Sequence, residues 1–145
     1  MSPTLEDARD QLHARCDTIE EAYEFMLGFA AQGLAGDQGS HSQIREFLRR
    51  VDAALTDLTR FIGTVPQGQT PNAGGDLAPF AAFLTVIERD ARSAQAAVQL
   101  VLAQPSISSQ LVDNLNASIH LRALLTDLFI IDEALKTRLQ GTGER

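Results

Sequence analysis

Residues 106–140 read SISSQLVDNLNASIHLRALLTDLFIIDEALKTRLQ, and the way this stretch divides decides the fold. Its first half sets Ile107, Leu111, Leu115 and Ile119 on one face at four-residue steps. Its second half sets Leu121, Leu124, Leu128, Ile131, Leu135 and Leu139 on another. Both spacings are helical. At ~100° per residue the two stripes differ by roughly a quarter turn. Asn114, Asn116 and Ser118 stand at the changeover, and such side chains compete for backbone hydrogen bonds. The stretch reads as one helix over about 106–140 with a bend or short break near its middle, followed by a frayed tail, 141–145.

Three more helices lie upstream. Prolines stand at 3, 66, 71, 79 and 105, none inside a long periodic segment, where proline would break a helix. The first helix spans about 4–33, with Leu5, Leu12, Cys16, Ile19, Tyr23, Met26 and Ala30 as its stripe and Gly33 as its stop. The second spans about 42–62, with Ile44, Phe47, Leu48, Val51, Leu55, Leu58 and Phe61 inward, and Arg45, Arg49, Arg50, Asp52, Asp57 and Arg60 largely off the stripe. Ser40 or Ser42 caps its start, and Ser40 with Gln43 fits a capping box. Residues 63–76, rich in Gly, Pro, Asn and Thr, read as a flexible loop, either crossing the bundle or loose on its surface. The third helix spans about 77–104, capped by Asp76 with Pro79 in its first turn, and Phe80, Phe83, Leu84, Ile87, Ala91, Ala94, Val98 and Val101 inward. No strand-like alternation or internal repeat intervenes. The expected fold is all-α, a single four-helix bundle over 1–145.

Composition sets the outer bounds. Of 145 residues, 44% are hydrophobic and 21% charged, with 12 basic against 19 acidic side chains for a net charge of −7. A chain so acidic is a poor nucleic-acid binder, whose affinity rests on neutralising phosphates. No apolar run reaches the length of a membrane span. The start, Met1 to Asp7, lacks the basic and apolar regions of a signal peptide, and Cys16 is the one cysteine. Both point to the cytoplasm. The acidity is uneven: Glu6, Asp7, Asp10, Asp17, Glu20, Glu21 and Glu24 crowd the first helix against only Arg9 and Arg15.

Two helices are more apolar than a bundle requires. In the first, Ala22, Phe25 and Phe29 adjoin the core stripe; in the fourth, Phe129 and Ile130 lie outside theirs. A soluble monomer rarely exposes such a patch, so the excess is either an interface or a central helix wrapped by three neighbours. A four-helix bundle has no central helix, which favours the interface. The expected contact residues are Tyr23, Phe25, Phe29, Phe129 and Ile130, with Glu20, Glu21 and Glu24 steering a basic partner.

Candidate chemistry is sparse. His13, Cys16 and Glu20 can share one helix face and are all metal-ligating types, and His120 could join them across the bundle. A di-metal carboxylate bundle would need paired Glu-x-x-His motifs, which the sequence lacks. His120 and Asp127 stand two turns apart on one face. Gly33, Gly36 and Gly39 precede a helix, yet Asp37 among them would repel phosphate. Asp17 and Glu20 flank Cys16, raising a thiol pKa in the wrong direction for a nucleophile. The expectation is a non-catalytic, cofactor-free interaction module, an accessory or regulatory factor that dimerises and docks on a larger protein through its first helix. The alternative is a metal- or cofactor-binding bundle using His13, Cys16, Glu20 and His120. A sensor with a small-molecule pocket inside the bundle is a third.

Overall fold

The computed structural model describes residues 5–37, 41–64 and 78–143. The caps expected at Ser40 and Asp76, the loop beyond Thr64, and the side chains of Leu5 and Leu139 lie outside what is described. Within it every element is helical: α1 (Leu5–Ala31), α2 (Gln43–Thr64), α3 (Ala78–Leu102), α4 (Ser109–Ala117) and α5 (His120–Gly143). The four-helix count is thus corrected to five, because the stretch from 106 onward forms two helices. α5 also continues through Gly143, past the expected stop at 140.

The four long helices form a ring in which α1 meets α2, α2 meets α3, α3 meets α5, and α5 returns to α1. Cross-contacts show each adjacent pair to be antiparallel. Phe25 stacks on Phe47 while Arg15 lies over Phe61. Gln95 of α3 donates to the Asp52 carboxylate, and Arg45 reaches the carbonyls of Leu102 and Gln104. Arg9 pairs with Asp132 midway along α5, Asn116, just before α5, reaches Met26 near the end of α1, and Arg138 late in α5 lies over Phe80 at the start of α3. This up-down-up-down ring leaves the end of α2 and the start of α3 at the same end of the bundle, so no crossing between them is required. Among the described residues, twenty-eight buried apolar side chains make one core, with Ile19, Met26, Leu48, Leu55, Leu58, Ile87 and Leu124 fully enclosed.

The break between α4 and α5 is sharp. Ser118 N–H donates to the carbonyls of Asn114 and Leu115, closing α4. Ile119 then takes φ = 63°, and α5 starts at once. Ile119, expected inward, is 58% exposed. On α4 the buried positions are Ser109, Val112, Leu115 and Asn116, an inner face that includes two polar side chains.

Those polar side chains are the fasteners. Ser109 Oγ donates to the Phe29 carbonyl at 2.6 Å and accepts the Leu34 N–H at 2.9 Å, joining α4 to the end of α1. Asn116 Nδ2 donates to the Met26 carbonyl at 3.4 Å, one turn back. α1 therefore meets three neighbours, α2, α5 and α4, and its extra apolar face is core: Ala22 is 1% and Phe29 5% exposed. The central helix judged absent from a four-helix bundle exists here because the fifth helix creates it.

A second fastener surrounds the turn after α1, where Gly33 supplies the stop at φ = 67°. Asp37 Oδ2 accepts from Arg45 Nε and from Ser42 Oγ, both at 2.7 Å, and Oδ1 accepts the Ile107 N–H at 2.7 Å. Ser42 Oγ in turn accepts the Arg45 N–H and caps α2. Arg45, placed off the stripe by the sequence, is 7% exposed. Its two terminal nitrogens satisfy the orphan carbonyls at the end of α3. Burial alone would raise the Asp37 carboxyl. The hydrogen bonds from Arg45, Ile107 and Ser42, with the charge of Arg45, outweigh it and hold the group at about 2.

Candidate interaction face

The first turns of α3 bring Pro79, Phe80 and Phe83 toward α5, which supplies Ile130, Ile131 and Ala134. These six residues line an open, wholly apolar groove of about 240 Å³. Ile131 is its buried floor, while Ile130 at 51% and neighbouring Phe129 at 49% remain exposed. The local cause is α5 itself: Leu121, Leu124, Leu128, Ile131 and Leu135 use up the inward face, and Phe129 and Ile130 project beside it. The guanidinium of Arg138 sits 5.8 Å over the Phe80 ring at the rim.

The other expected contact residues separate. Phe29 is buried under α4, which corrects its assignment to a docking face. Phe25 is half-buried in a 4.2 Å stack on Phe47, and the Arg50 guanidinium also lies over the Phe47 ring, 4.8 Å from its centroid. Tyr23 is half-buried and packs against the core. Glu21 and Glu24 are exposed and Glu20 intermediate, so α1 keeps an acidic strip, with Leu27 exposed one turn beyond Glu24. Phe80 and Phe83, assigned to the core stripe by spacing, are the groove residues that sequence reasoning missed. Their position in the first turns of α3 is the signal, since a helix end has fewer neighbours to cover it.

The residues of the metal alternative do not converge. Cys16 is a buried core residue. Burial, with the negative charges of Glu20, Asp17 and Asp132, pushes its thiol up to about 12, so the thiolate needed for ligation or attack is suppressed. His13 is exposed and lies 3.6 Å from both Asp17 and Asp132. His120 is the exposed first residue of α5. Among the described residues no group of three or more His, Cys, Asp or Glu side chains converges to hold a metal ion. His120 and Asp127, expected on one face, differ in surroundings: Asp127 is 9% exposed. Burial, then the hydrogen bond and charge of Asp90 on α3, raise the Asp127 carboxyl to about 7, with Arg89 opposing.

No protein-family model matches this chain, and neither do the curated proteins and solved structures compared with it. No helix among the described residues is long and apolar enough to cross a membrane.

Proposed function

We propose that the protein is a non-catalytic interaction module of the cytoplasm that dimerises through the α3–α5 face and offers the acidic strip of α1 to a basic partner. The observation that carries this reading is the half-exposed pair Phe129 and Ile130 beside the apolar groove. A groove of about 240 Å³ falls below the ~300–1,000 Å³ of small-molecule sites. Its open apolar shape suits inserted side chains of a protein.

Charge favours a second copy as the occupant. A two-fold interface places one patch against itself, so it must avoid a single sign of charge. The six residues lining the groove are uncharged, with Arg138 over the Phe80 ring at its rim. The α1 face, with seven acids against two bases, would repel its own copy. That same face steers a partner of opposite charge.

Sedimentation velocity over a concentration series tests the reading. Wild-type protein is expected to show a concentration-dependent dimer, and the double variant Phe129→Glu, Ile130→Glu a monomer of unchanged helical content. Wild type that stays monomeric throughout would sink it.

A further inference from the structure

Asp127 occupies the side of α5 that meets α3, one turn from buried Leu124 and Ile131. It is 9% exposed, and its Oδ2 makes no hydrogen bond to a donor of the protein. The group facing it across the seam is another carboxyl, Asp90, whose side chain is 23% exposed. Two carboxylates meeting in a partly dry seam cannot both be ionised without strong repulsion. The charges acting on Asp127 are Asp90 and Arg89, both from α3. Arg89 lies 3.6 Å from Asp90 but is 72% exposed, so water screens it. α1 reaches α5 through Arg9 and His13 at Asp132, not at Asp127. The α4 carboxylate Asp113 is exposed to solvent.

We infer that Asp90 and Asp127 hold one proton between them, and that this proton fastens α3 to α5. When it is present, one carboxyl donates its O–H to the other, a short charge-assisted bond, and the seam carries one negative charge. When it leaves to solvent, two anions face each other with no donor between them. The raised Asp127 carboxyl, at about 7, places the exchange near neutrality. A divalent cation is a poorer occupant, because two carboxylates supply too few of the ~6 oxygens that magnesium or calcium takes.

The direction of the pH effect follows. The folded pair binds a proton that the unfolded chain, with an ordinary aspartate near ~4, has released. Stability therefore falls as pH rises from about 4 through about 7, and the loss is complete above that range. This inference stands apart from the groove and its occupant.

Carbon-13 carboxyl NMR of the wild-type protein is the direct test. One aspartate is expected to titrate near neutral pH, with that resonance lost in Asp127→Asn and displaced in Asp90→Asn. In thermal unfolding, the wild-type midpoint is expected to fall between about pH 5 and about pH 8. Asp127→Asn should flatten that slope and melt above wild type at the alkaline end. If every aspartate of the folded wild type titrates in the ordinary carboxylate range, the inference is overturned, whether or not the variants fold. It is also overturned if the slope persists unchanged in both variants. Magnesium that raises the wild-type midpoint at alkaline pH, reversibly with chelator, would replace the proton by a cation and overturn it too.

Discussion

At Ile119 a β-branched side chain sits in the left-handed region with most of its surface in water. That conformation costs roughly 1–2 kcal/mol for a residue with a Cβ, and exposure returns little burial in compensation. Ile119→Gly is expected to raise stability by about 1 kcal/mol, measured as a shift of the urea midpoint at constant slope. At Asp37 the sign reverses. Its removal leaves the buried Arg45 guanidinium with only two carbonyl acceptors and strips the Ile107 N–H of its partner. Asp37→Ala should cost about 3–5 kcal/mol, as breaking a buried pair does. Because the folded carboxyl is depressed to about 2, its stabilisation is present above the ordinary aspartate range and is lost as pH falls from about 4 to about 2. Acid unfolding of wild type should display this loss, and Asp37→Ala should lack it.

Among the elements, α4 depends most on a few bonds. Ser109→Ala removes a donor to the Phe29 carbonyl and an acceptor for the Leu34 N–H, both in the α1–α4 junction. The expected cost is about 1–3 kcal/mol, with amide hydrogen exchange accelerated in α4 ahead of the four long helices. The long helices were legible in the sequence because each repeats one apolar stripe over several turns. α1, α2 and α3 accordingly lie within two residues of their expected limits. The change of stripe at Asn114, Asn116 and Ser118 marked where α4 parts from α5, but the attachment of α4 to α1 was not legible, because its inner face includes Ser109 and Asn116. These read as surface or breaker residues until the carbonyls of Phe29 and Met26 are known to face them. Arg45 was misplaced for the same reason: a charged residue beside a stripe is assigned to solvent unless its counterion, eight positions earlier at Asp37, is known to lie beside it. At the candidate face, Phe129 and Ile130 were legible as apolar residues off the stripe, while Phe80 and Phe83 could be told from core only by where α3 begins.

For the whole molecule, two carboxylates pull the pH profile in opposite directions. Asp37 supports the fold above about pH 4 and Asp127 weakens it as pH approaches about 7. Maximum stability is therefore expected on the acid side of neutrality, in a calorimetric series across that range. Replacing both groups should broaden the optimum. The acidity itself is lopsided, concentrated on α1, so added salt should weaken capture of a basic partner far more than it weakens an apolar dimer.

The junction of α1 with α4 also has a consequence for biosynthesis. Ser109 lies 80 residues beyond the Phe29 carbonyl that it binds, and Asn116 lies 90 beyond Met26. A ribosome making this chain N-terminus first exposes Ala22, Met26 and Phe29 long before their cover exists. Even a nascent chain with α1, α2 and α3 complete carries that sticky flank. The interval of aggregation hazard thus lasts until both the nine-residue α4 and the α5 that closes the ring have emerged, and chains stalled near Pro105 should be the ones that chaperones hold longest.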